Sequence, residues 1–276
     1  MRILYIAFLI KALAVSQGFA QNLGEFLGDE GIFYAETKQL NQFFRRFNNE
    51  EDLNGNRIFA GEPGYRERED RKKYLQMLFD RENKNLGQAL KDEFIAFLTS
   101  PDADHFLEFQ GGEWFAEVET TFMYKGRPRN LTLYLNLQKE PIGSKWVISR
   151  VFFDEFSKHF GADTTELKFL HPMSHELEFM NLNKAFRDNG DLELYAQRGY
   201  RPDYVSLLFY EMKLGNMEFK QVNNVKFHFF QIDNWYFEVS RFNRPGFNRG
   251  WLMSNLVKIK PEDKQKLMQY IFYEAN

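Results

Sequence analysis

Apolar positions recur three and four residues apart in the first part of the chain and alternate with polar ones from about residue 113 onward. Over 33–47, Leu40, Phe43, Phe44 and Phe47 form the stripe of a surface helix. A glycine- and proline-bearing loop from Asn48 to Tyr65 separates it from a second helix over 66–80. There Tyr74, Leu75, Leu78 and Phe79 are apolar, and a mixed-charge face runs from Arg66 to Lys73. Leu90, Phe94, Phe97 and Leu98 predict a third helix over 87–98, stopped at Ser100-Pro101 because the residue before proline is pushed out of the helical region. Arg45 and Arg46, followed by Glu50, Glu51 and Asp52, read as a salt-bridged helix end.

The period then falls to two. Segments 113–123, 130–138 and 144–153, divided by turn residues around Gly126-Arg127-Pro128 and Pro141-Ile142-Gly143, predict three antiparallel strands. Trp114, Ala116 and Val118 share one strand face, and Phe115, Glu117 and Glu119 share the other, so one face of the sheet is apolar and one is mixed. The order then repeats. A helix is expected over HELEFMNLNKAFRD with Ser174 as N-cap, and another after Arg201-Pro202-Asp203. Strands follow at 216–222, 225–232, 234–242 and 250–258, and an amphipathic helix closes the chain after Pro261. The fold class is therefore α+β, with helices packed on a curved antiparallel sheet and the arrangement repeated in two domains, 30–158 and 165–276. Trp114-Phe115-Ala116-Glu117-Val118 is echoed by Trp235-Tyr236-Phe237-Glu238-Val239.

The first twenty residues place Arg2 before an apolar stretch and end in Gly18-Phe19-Ala20, the form of a signal peptide over 1–20 cleaved before Gln21. Lys11 interrupts the stretch, which is shorter than the roughly 20 apolar residues of a spanning helix, so no stable membrane insertion is expected. A periplasmic or secreted location follows. The chain has no cysteine, which excludes disulfides, thiol nucleophiles and thiolate metal sites. The formal charge of -3 becomes about -5 without Arg2 and Lys11, a poor match to a phosphate backbone, so nucleic acid is not an expected partner.

No G-x-S-x-G elbow or glycine-rich phosphate cradle is present, and no cofactor is implied. His171 and His175, four apart, are the weak candidates for a metal, but Pro172 biases His171 toward extended backbone. His228 is the weak catalytic candidate. It shares a strand face with Lys226 and Phe230, and Glu218, Asp233 and Glu238 are the nearby acids. Glu117 and Glu119 read as a solvated strand face. Core filling accounts for much of the aromatic content of 31 Phe, 13 Tyr and 4 Trp. In the loop 241–251, Arg241, Arg244, Phe247, Arg249 and Trp251 are the candidate contacts to a ligand or partner, since arginine and aromatic rings dominate recognition hot spots.

The helix-then-sheet order with Trp-rich strands resembles the nuclear-transport-factor-2-like cone folds in tandem, over roughly 30–158 and 165–260. The composition looks like that of exported proteins of gut Bacteroidetes. Members of the cone superfamily range from isomerases and dehydratases to dimerisation and ligand-binding modules, and its enzymes often use an Asp–His pair or a lone Asp inside the cone. The reading that results is an exported, non-catalytic protein that binds a glycan, peptide or partner protein. The alternatives are a small-molecule isomerase or hydrolase using His228, and a structural or assembly component of the cell envelope.

Overall fold

The computed structural model describes residues 40–52, 54–101, 105–141, 143–160, 170, 172–180, 182–187, 192–197, 200–245 and 248–273. The predicted signal peptide and the first part, 33–39, of the first predicted helix lie outside these residues. Contacts divide the chain into two compact units: Met1–Phe109 with Phe242–Leu252, and Gln110–Arg241 with Met253–Asn276.

In the first unit, residues 40–48 are helical, and Leu40, Phe43, Phe44 and Phe47 are buried, as their spacing predicts. Helix α1 (Arg68–Met77) is capped by the Glu67 side chain, which accepts from the Asp70 amide; helix α2 (Gln88–Leu98) starts after Gly87. Phe94 of α2 meets Phe47 and Phe79 with ring centroids 6.4 Å apart in each case. The expected ion pairing is present: fully buried Glu51 accepts from Arg45, Arg46 and Gln42. Arg71, 3% exposed, donates to the carbonyls of Phe47, Leu98 and His105, and so ties the end of α2 and the segment beyond it to the first helix.

The second unit holds most of an open antiparallel sheet: β1 (Trp114–Tyr124), β2 (Arg127–Glu140), β3 (Gly143–Phe152), β4 (Met217–Phe229), β5 (Trp235–Phe242) and β6 (Gly250–Lys258). The strand order is β3-β2-β1-β4-β5-β6. This corrects the expectation of one sheet in each half. The two three-stranded meanders join through β1 and β4, which pair from Trp114↔Phe229 to Tyr124↔Met217 and leave neither meander with a free inner edge. A second correction concerns 216–222 and 225–232, which form one strand. Asn223 does not make a turn; it and Lys220 are extra residues at two register shifts, so β4 bends and continues.

Period-two alternation sorts the strands as predicted. Trp114, Phe229 and Phe237 stack across three strands on the apolar face, with centroids 5.4 and 4.8 Å apart. Helix α3 (Asp154–Phe160), absent from the sequence reading, packs Phe156 against Phe122, Leu131, Val151 and Phe153. Helix α4 (Tyr204–Lys213), N-capped by Asp203, adds Leu208 to the same cluster. Helix α5 (Pro261–Ile271) crosses the other face and, with Phe272 beyond its end, packs against Phe115, Tyr134, Phe230 and Tyr236. The long helix expected from Ser174 is instead a 3-10 helix over Pro172–Leu177 and a single turn over Leu182–Ala185. Positive φ at Glu178 and Phe179 ends the first piece, and Ser174 lies inside it. Among the described residues, no helix is long and apolar enough to cross a membrane.

Candidate functional site

The mixed face of the sheet carries a chain of polar side chains from β1, β4 and β5. The register places Phe115 opposite His228, and His228 opposite Glu238, with Glu117 opposite Lys226 one step along. Residues two apart share a strand face, so Glu117, Lys226, His228, Tyr236 and Glu238 converge. His228 is 2% exposed and lies on the Phe115 ring, with centroids 4.9 Å apart. Its Nε2 is 2.8 Å from Glu117 Oε2, and its Nδ1 is 2.8 Å from the Tyr236 hydroxyl. That hydroxyl in turn donates to Glu238 Oε2 at 3.1 Å.

Facing a carboxylate, Nε2 acts as a donor and fixes the ring orientation. The hydroxyl of Tyr236 has one proton, so it can serve Nδ1 or Glu238 but not both at once. Burial pushes the Glu117 carboxyl up, but the His228 hydrogen bond and the charges of His228 and Lys226 outweigh it and hold the group below its ordinary range. Burial alone would pull Lys226 down; Glu117, Glu238 and Glu119 raise it above its usual value. Burial, reinforced by Glu238, pushes the Tyr236 phenol up, and burial with the Glu117 charge does the same to Tyr134.

The chain opens to solvent at one end. The Lys226 ammonium is 3.7 Å from Glu117 Oε1 and 3.6 Å from Glu119 Oε1, beyond hydrogen-bond length, with side-chain exposures of 31% for Lys226 and 44% for Glu119. The same face continues through Thr132, opposite Glu119, to Phe152, opposite Thr132. The end of α5 and the two residues after it bound it: Tyr134 donates to the Ile271 carbonyl at 2.6 Å, Arg150 lies over Phe272, and Tyr273 stacks on Phe152 at 4.2 Å.

Sequence reasoning located His228 and its face but not its partner. Glu117, read as a solvated carboxylate, is buried with His228 because β1 and β4 are neighbours in one sheet. Of the acids named near His228, only Glu238 belongs to the chain, and it does so through Tyr236. Tyr236, Lys226 and Tyr134 carried no signal beyond an aromatic or basic residue in alternating register; the pairing of residues 111 apart was not readable.

The other candidates fall elsewhere. His175 Nδ1 bonds the Pro172 carbonyl at 2.7 Å, and His171 lies outside the described residues. No group of three or more metal-ligating side chains occurs among the described residues. In the 241–251 loop, Arg244 pairs with Asp80 at 2.6 Å and Glu82 at 2.9 Å, and lies over the Phe242 ring. Asn248 donates to the Phe79 carbonyl, so this loop is fastened within the first unit. Trp251 is buried, Arg241 and Arg249 are exposed, and Phe247 lies outside the described residues. No family model, curated protein or solved structure matches the chain.

Proposed function

We propose that the chain is an exported binding protein that takes a polar ligand on the mixed sheet face around Lys226, Glu117 and Glu119. The observation that carries this is the Glu117–His228–Tyr236–Glu238 chain. Burying ionisable groups costs stability, and a solvated sheet face has no need of them. Here the buried members hold Glu117 ionised beside a half-exposed ammonium whose contacts are too long to use up its donors. Such an array offers fixed acceptors and a fixed donor at an open surface. The export signal is part of the same reading.

Binding is favoured over the isomerase or hydrolase reading by the state of the side chains. Both nitrogens of His228 are engaged, and the ring is buried. Glu117 lies below its ordinary range, while Lys226 and Tyr236 lie above theirs. An efficient general acid or base needs the opposite tuning, toward the working pH. Calorimetric titration of the purified protein with neutral oligosaccharides and with hydrophilic peptides tests the proposal. A ligand of either kind that loses at least about tenfold in affinity in Lys226→Met supports it. A ligand indifferent to Lys226→Met and Glu119→Gln refutes it. Turnover of a small hydroxylated ester or ketone that stops in His228→Asn would favour the enzyme instead.

A further inference from the structure

We infer that the ligand of this face is a neutral carbohydrate at least two sugar rings long, held by a polar subsite at Lys226, Glu117 and Glu119 and an aromatic subsite at Tyr273. The inference rests on the binding role proposed above and adds the chemistry of the ligand.

Charge gives the first argument. Around the open part of the face, the carboxylates Glu117, Glu119 and Glu238 are interleaved with the cations Lys226 and Arg150. The register puts Glu117 opposite Lys226, and Tyr134, itself opposite Glu117, opposite Arg150. A phosphorylated or polyanionic ligand would meet the three carboxylates, and a polycation would meet Lys226 and Arg150. Neither finds a field of one sign. A hydroxyl group donates and accepts, so adjacent hydroxyls on a sugar ring can give hydrogen bonds to Glu117 or Glu119 and receive one from Lys226. The 3.6 and 3.7 Å gaps between the ammonium and the two carboxylates leave those donors and acceptors open to an inserted hydroxyl.

Position gives the second. Glu119, Thr132 and Phe152 form one cross-strand row on β1, β2 and β3. Tyr273 stacks on Phe152 with its ring 18° from parallel, yet it is 58% exposed. An exposed aromatic ring, braced from behind by a second ring, is a platform for the apolar face of a sugar. Two strand spacings, about 10 Å, separate the β1 and β3 ends of this row. One pyranose ring does not reach from the platform to the charged groups, whereas two linked rings do, with the Thr132 hydroxyl between them.

Calorimetric titrations with neutral cello-, xylo-, malto- and chito-oligosaccharides of one to six units, and with neutral hydrophilic peptides, test this. The expected result is that one series binds, with its monosaccharide weaker than its tetramer by at least about tenfold. Tyr273→Ala and Lys226→Met should each weaken the tetramer by at least about tenfold, while Tyr273→Phe retains it. Both side chains are open enough to be replaced without unfolding, and an unchanged urea midpoint verifies that. Peptide binding that depends on Lys226, with no oligosaccharide bound, overturns the carbohydrate inference and leaves the binding role standing. Oligosaccharide binding that survives both Lys226→Met and Glu119→Gln removes both. Equal affinity for monomer and tetramer, or indifference to Tyr273→Ala, overturns the two-ring subsite, and absence of binding in every series overturns the inference outright.

Discussion

Replacing His228 by leucine, alone and together with Glu117→Leu, measures how far the buried pair is a single unit. In His228→Leu, the Glu117 carboxylate loses its 2.8 Å charge-assisted partner while its side chain stays 9% exposed, and Tyr236 loses one of its two contacts. A hydrogen bond to a charged group contributes about 1.5–3 kcal/mol, and a neutral one about 1. Lys226 remains 3.7 Å away and limits the damage, so the loss should be about 3 kcal/mol. Glu117→Leu leaves a buried ring nitrogen unsatisfied and should cost about 2 kcal/mol. With both replaced, two leucines meet beside Phe115, and the Tyr236 contact, the long Lys226 contact and some packing are lost, again about 2 kcal/mol. The double variant is then more stable than the sum of the singles predicts, by about 3 kcal/mol. Urea unfolding at pH 7 followed by tryptophan fluorescence gives the three values, with Trp114 and Trp235 reporting from the strands on either side of β4. Additive losses, near 5 kcal/mol for the double variant, would refute the pairing of these two residues and the site built on it.

Acid should weaken the same unit. Glu117 is lowered in the folded protein, so its contribution is complete above the unfolded value of about 4.3 and disappears as pH falls through the folded one. Melting temperature should therefore drop below about pH 5, less steeply in Glu117→Gln, and identical slopes would contradict the assignment. In the first unit, Arg71→Met strands three carbonyls and should cost about 3 kcal/mol or more. Arg71→Lys should recover only part, because one ammonium cannot span the fork; full recovery would show that charge alone matters there. Tyr134→Phe removes the bond to the Ile271 carbonyl at a cost of about 1 kcal/mol, and hydrogen exchange should quicken over α5 while the strands stay protected.

The elements were legible where one pattern dominated. The stripe of Leu40, Phe43, Phe44 and Phe47 and the cap at Asp203 each depend on neighbours within a few residues, and each has its predicted environment. The failures share a cause. Asn223-Asn224 carries the composition of a turn, but pairing with β1 on one side keeps the chain extended and turns the surplus residue into a bulge. Asp154–Phe160 is only seven residues, with Phe156 as its single core residue, too short to show a period of its own. Glu117 looked solvated because alternation says which face a side chain shares, and not what covers that face.

The five-residue echo between β1 and β5 acquires a physical explanation from the strand order. In an arrangement of two meanders joined through β1 and β4, the strand of the second meander that corresponds to β1 is β4, whereas the echo falls on β5. What β1 and β5 share is a neighbour: both pair with β4, one on each side. Trp114 and Trp235, Ala116 and Phe237, and Val118 and Val239 share the apolar face, but with the β5 member displaced by two residues along β4, so that Trp114 is level with Phe237 and Ala116 with Val239. Phe115 and Tyr236, then Glu117 and Glu238, share the other face with the same displacement, Phe115 and Glu238 standing on either side of His228. The last two pairs enclose His228: Phe115 lies against its ring, Tyr236 bonds Nδ1, Glu117 bonds Nε2, and Glu238 is reached through Tyr236. The same local requirement, an apolar side toward the core and an aromatic-then-acid side toward one histidine, accounts for the same five-residue pattern twice. The echo is therefore a property of the site, and substitutions at Glu117 and Glu238 should act on His228 from opposite sides. Because Glu238 acts through the single hydroxyl proton of Tyr236, Tyr236→Phe should uncouple it. Glu238→Gln should then shift the imidazole resonances of His228 in the parent protein and leave them unmoved in Tyr236→Phe, whereas Glu117→Gln should shift them in both. Equal shifts from Glu238→Gln in the two backgrounds would show that the glutamate reaches the ring by another route.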